Sequence, residues 1–127
     1  MKFRLMFLVF IAAMVFTTPL VRADFVDGDV LGEWAKEYRS ARAGTGNPLS
    51  HIYVRRFQVY VMGVADAHDS LLVMSGTPPI FCTPDYLTVE QLSETVARFL
   101  ENHQERKHEA GSILVAAALA EAFPCDR

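Results

Sequence analysis

The chain is poor in the groups that catalysis and metal binding draw on. Across 127 residues it holds two cysteines, Cys82 and Cys125, and four histidines. His51, His68, His103 and His108 make no ligand spacing with the two thiols, and a zinc site needs four donors held close together. Phosphate loops and dinucleotide fingerprints are absent. Gly44-Thr45-Gly46 is a short G-x-G lying between two helical patterns. An acid and a histidine come close in sequence at Asp66 and His68. Two apart on a helix, they face different sides and read as surface residues. Trp34, Tyr38, Phe57 and Tyr60 could resemble an aromatic ligand box, but their helical spacing reads as core. Internal repeats and low-complexity tracts are also missing. These absences predict a protein without catalytic residues, metal or cofactor.

What is present begins with an N-terminal pattern. Lys2 and Arg4 precede an apolar run from Leu5 to Phe16, and Val21-Arg22-Ala23 follows with small residues at the cleavage positions. That is the layout of a secretory signal, expected to span 1–23 and to be cut after Ala23. The apolar run is too short for a membrane anchor, which takes roughly 20 residues. No cysteine follows the run, so a lipoprotein is not expected. The working domain is then 24–127, one domain by length.

The expected signal holds Lys2, Arg4 and Arg22, three of the 12 basic residues, and none of the 15 acidic ones. The remainder carries nine bases against fifteen acids, a formal charge of −6. An acidic domain repels nucleic acid and suits a basic protein partner, though acidity also serves solubility alone. Export changes how the cysteines read. In an oxidising compartment an even pair is a disulfide by default, with metal ligation or thiol catalysis as the other uses.

Four helical patterns fill the domain. The first covers about Asp29 to Arg42, with Val30, Leu31, Trp34 and Tyr38 in one stripe. The second opens at Asn47-Pro48, a capping residue before a first-turn proline, and runs to about His68. Its apolar set (Leu49, Ile52, Tyr53, Phe57, Tyr60, Val64, Ala67) is widened by Val59, Val61 and Met62, which predicts a central helix. Strand is the rival for Phe57 to Val64, whose β-branched residues favour it; the length of the apolar surface favours helix. Asp69 to Leu87 reads as loop around Gly76-Thr77-Pro78-Pro79, with Leu71 to Met74 as a short extra turn. Thr88 and Gln91 form a capping box that opens the third helix, to about His103. The fourth, alanine-rich, spans about Glu109 to Ala122, and Pro124 ends it. The short link between the last two makes them an antiparallel hairpin. Cys82 and Cys125 fall at its open end, where a bond would staple it. The fold class is all-α, a small bundle of four main helices with a stapled C-terminal hairpin.

Two segments are candidates for contact with a partner. The link His103, Gln104, Glu105, Arg106, Lys107, His108 is charged and expected to be exposed; a solvated connection is the plainer reading. The long loop carries apolar residues expected to be exposed, among them Leu72, Met74 and Phe81. The plainer reading there is that they cover the hairpin's open end.

The order Cys82-Thr83-Pro84, Leu87-Thr88-Val89-Glu90-Gln91-Leu92, Phe99-Leu100-Glu101-Asn102-His103 and Ala118 to Cys125 resembles the Rap/Tai family of type VI secretion immunity proteins. Tyr60 to Ala67 is similar to that family's central Y-x-x-G-x-x-D-A segment. The resemblance covers most of the domain from about Gly28. It implies a helical periplasmic protein, often a homodimer, that blocks a peptidoglycan amidase effector sterically with a protruding loop. Relatives often carry two further cysteines; at the matching places this chain has Ala35 and Phe57, so a second disulfide is expected to be replaced by packing. The family's His-Pro-Glu is His103-Gln104-Glu105 here, and losing that proline is expected to let the third helix run on. A small periplasmic acid-stress chaperone is the alternative from another class, and an orphan relative with a structural envelope role is a third.

Overall fold

Asp27 caps the first helix, its carboxylate accepting from the Val30 amide at 2.9 Å. The computed structural model describes residues 25–126. The expected signal segment, 1–23, lies outside the described residues. Among those residues there are four α-helices: α1 (Gly28–Arg42), α2 (Ser50–Ser75), α3 (Val89–Asn102) and α4 (Gly111–Ala122). The only strand-like pairing among them is an isolated bridge, Asp27 with Ala110. The all-α reading holds, including helix at Phe57 to Val64.

That bridge sews the start of α1 to the start of α4. Gly28 donates to the Glu109 carbonyl at 2.9 Å, and Gly111 donates to the Val26 carbonyl at 2.8 Å. The strands of backbone lie so close that a Cβ on Gly28 would sit 2.6 Å from Leu114 Cδ1 and from the Lys107 carbonyl. Glycine is required there by space.

Helix α2 differs most from the expectation. It begins at Ser50, two residues after Pro48; Asn47 instead accepts from the Leu49 amide at 2.7 Å in a turn. It ends at Ser75, well past His68, and Gly76 closes it in the left-handed region (φ 65°), donating to the Leu72 carbonyl. Asp69 to Ser75 contains no breaker, so the helix continues until a glycine can turn the chain. Leu71 to Met74 is therefore helix and not a separate turn. Nor is α2 buried all round. Phe57, Val61 and His68 face the core, while Leu49, Ile52 and Val59 are exposed.

Helix α3 carries the expected capping box, with Gln91 N donating to Thr88 Oγ1 and Thr88 N to Gln91 Oε1. It stops at Asn102 without the family's proline. Gln104 supplies the stop by folding back, its amide donating to the Leu100 carbonyl at 2.6 Å. A 3-10 turn, Gln104–Arg106, follows, and α4 begins at Gly111, two residues after the expected Glu109.

Cys82 and Cys125 are bonded, with Cα atoms 5.0 Å apart, and Cys82 N donates to the Phe123 carbonyl at 2.9 Å. The staple closes a separation of 43 residues. Restricting the unfolded chain to that extent contributes about 4 kcal/mol on the chain-entropy model. The core draws on every helix: Leu31 and Tyr38, Phe57 and Val61, Val96 and Leu100, Leu114 and Leu119. Ala35 and Phe57, at the places of the family's extra cysteines, are both in that core. Tyr38 packs against Phe57 with ring centres 5.4 Å apart, and its hydroxyl donates to the Glu90 carbonyl. Burial pushes the Tyr38 phenol up from its ordinary range.

Candidate partner-binding surfaces

The link between α3 and α4 is short, polar and internally braced. Arg106 lies over the Phe99 ring at 5.5 Å and donates to both carboxylate oxygens of Glu109, each at 2.7 Å. This forked pairing holds the Glu109 carboxyl below its ordinary range and raises the Arg106 guanidinium. The His103 ring packs on Phe99 at 4.2 Å and stands between two carboxylates, Glu105 at 3.4 Å and Glu121 at 3.7 Å. Lys107 and His108 both reach Asp29 at the start of α1, at 3.5 and 3.6 Å. The six residues singled out in sequence thus divide. His103 and Arg106 are half-buried and position the link, whereas Gln104, Glu105, Lys107 and His108 are exposed on it.

Beside the link, α1 and α3 frame an open groove of about 610 Å³. Its floor includes Gly32, Ala35, Ala97 and Leu100. An Arg39–Glu101 ion pair stands at its wall, with Lys107–Asp29 on the link side. Sequence reading missed this groove. It exists only because α1 packs across α3, and no local pattern encodes that crossing.

The second candidate surface is the end of α2. Val73 is 87% and Met74 84% exposed, with Leu71 and Ile80 exposed beside them in sequence. Leu72 is half-buried. Phe81 is a correction, being only 2% exposed and part of the core. His68 is another. It reads as a surface residue in sequence, yet it is 9% exposed, with its ring stacked on Phe81 at 3.9 Å. Its Nε2 accepts from the Ile80 amide at 3.0 Å, and its Nδ1 lies 3.1 Å from Asp69 Oδ1. The signal that could have revealed it is the paired proline, Pro78-Pro79, which leaves Ile80 as the next amide that must find an acceptor.

The aromatic residues behave as core. Tyr38 and Phe57 are fully buried, and Trp34 meets Tyr60 edge-on with ring centres 6.2 Å apart. No group of three or more potential metal ligands occurs among the described residues. Among the same residues no helix is long and apolar enough to cross a membrane. Two surfaces stand out among the described residues, the charged link and the apolar end of α2.

Comparison with known proteins returns one family. The model of the Rap1a immunity proteins matches residues 29–125. No curated protein and no solved structure matches the chain.

Proposed function

The chain belongs to the Rap1a immunity proteins, and from that premise we propose that it protects its cell by occluding a secreted peptidoglycan amidase in the periplasm. The observation that carries this reading is the family match over 29–125, which spans both candidate surfaces and the stapled hairpin. Membership in an immunity family implies a protein partner, the effector that is neutralised. Occlusion needs shape and charge and no chemistry from the inhibitor. The braced link supports that role: it is held by Arg106–Glu109 and by the contacts of Lys107 and His108 with Asp29, so little order has to be imposed on binding.

 The exposed residues of the link then offer the effector mixed charge in a fixed arrangement.

The two surfaces suit different partners. The end of α2, with Leu71, Val73 and Met74, is apolar and uncharged, the composition of a permanent interface; it is assigned to a second copy of the chain. The polar link suits a partner met in solution and is assigned to the effector. Export through the N-terminal signal brings the protein to the compartment where cell-wall amidases act.

The test is to purify the domain from residue 24 onward with its bond formed, add it in excess to a candidate amidase, and follow peptidoglycan cleavage. The expected result is a stable complex and loss of cleavage. Undiminished cleavage by every amidase encoded beside the gene sinks the proposal. For the dimer, sedimentation should give twice the mass of one chain, and Met74→Lys should shift it toward one. A wild-type monomer at high concentration removes that part alone.

A further inference from the structure

We propose that His68 is an acid-responsive latch, holding the loop at 76–82 to the end of α2 and releasing it when the ring takes a second proton. The hydrogen bonds fix the ring's chemistry. The Ile80 amide can only donate, so Nε2 facing it at 3.0 Å must present a lone pair. The ring's single proton therefore sits on Nδ1, where Asp69 Oδ1 accepts it at 3.1 Å. Both nitrogens are committed, and the ring is clamped by its stack on Phe81.

A second proton has one place to go, Nε2, and there it points at the Ile80 N–H. Two donors cannot share that contact, so the bond to the loop breaks. The bond to Asp69 strengthens, because a charged donor now faces a carboxylate. The ring thus stays with α2 while the loop leaves. Asp69, on α2 itself, is the only carboxylate within ion-pair distance of the ring among the described residues. The loop Gly76 to Phe81 brings no titratable side chain, and Cys82 is held in the disulfide. Asp126, beyond Cys125, is exposed and outside ion-pair distance of the ring.

The loop is built to move as a unit between fixed ends. Gly76, in the left-handed region, is the hinge at one end. Cys82, bonded to Cys125 and to the Phe123 carbonyl, is the anchor at the other. Thr77 meets Ser75 beside the hinge, and Pro78 and Pro79 have no amide to donate, so beyond the hinge the Ile80 amide is the loop's hydrogen bond to α2. Release uncovers Phe81 beside the exposed apolar end of α2. This inference does not depend on which partner the protein binds.

The experiment is nuclear magnetic resonance on the disulfide-bonded domain, scanned from about pH 8 to about pH 5, the range in which histidine rings charge. At the upper end the His68 ring nitrogens should report the Nδ1–H form. As the ring charges, protection of the Ile80 amide should fall roughly tenfold relative to an unstructured reference, the worth of one hydrogen bond. Amides in α3 and α4 should keep theirs. In His68→Gln, which cannot charge, Ile80 protection should be independent of pH. An Nε2–H ring at neutral pH, or Ile80 protection that stays flat while the ring charges, overturns the proposal. Either is readable in the wild-type protein should a variant fail to fold.

Discussion

The α3–α4 hairpin and the far end of α2 are held in opposite ways. The hairpin is closed at one end by a covalent bond and at the other by the forked Arg106–Glu109 pair, and α3 opens on a two-armed capping box. The end of α2 has a glycine cap, local bonds of Ser75 with Leu71 and Thr77, and one histidine bond to the loop, with Val73 and Met74 left to solvent. Redundant restraint makes a rigid scaffold whose failure is costly. Sparser, non-covalent restraint leaves a region that can change state while the hairpin stands. The proposed role has use for both, since occlusion needs shape kept in one place and surface exchanged in another.

The sharpest way to break the contrast is to cut the staple. Cys125→Ser removes the cross-link and with it about 4 kcal/mol. At roughly 4–8 °C per kcal/mol for a domain of this size, Tm should fall by more than about 15 °C in a thermal melt followed by circular dichroism. A fall of only a degree or two would mean that the hairpin does not depend on its bond. Gly28→Ala comes next. Its Cβ meets Leu114 and the Lys107 backbone at 2.6 Å, and overpacking of that kind costs about 1–3 kcal/mol, readable as a lower urea midpoint. An unchanged midpoint would show that the α1–α4 seam can open without penalty.

The smallest effect concerns Glu109. Its carboxyl is held below the ordinary range by Arg106, so the pair contributes stability above the unfolded carboxyl's pKa, about 4.3. That contribution disappears as pH falls through the lower folded value. Glu109→Gln should therefore lower Tm slightly near neutrality and make no difference in strong acid. Parallel melts at the two pH values check the sign, and a penalty that persists in acid would assign the effect to packing.

Much of the scaffold was legible in the sequence because its signals are local. Thr88 and Gln91 stand three apart and cap α3 as read. The two cysteines flank the predicted hairpin and are joined. The end of α2 was misplaced because Gly76-Thr77-Pro78-Pro79 marks a break without saying where the preceding helix stops being favourable; Asp69 to Ser75 has no reason to leave the helix. His68 was misread because its partners, Ile80 and Phe81, come back to it across a loop. The groove beside the link was invisible for the same reason, since it is made by α1 crossing α3. The link stands where the sequence puts it, but only the contacts to Phe99, Glu109 and Asp29 show how it is braced.

The seam between Val26 and Gly111 carries a practical consequence for anyone attaching labels to this protein. It brings the entering chain to the root of the charged link, so a tag or fluorophore joined ahead of Phe25 will crowd the link. A tag joined at the C-terminus, past Cys125, departs from the stapled end of the hairpin instead, at the opposite pole from the link. Pull-downs that probe the link should carry their handle at the C-terminus, and those that probe the end of α2 should carry it at the N-terminus.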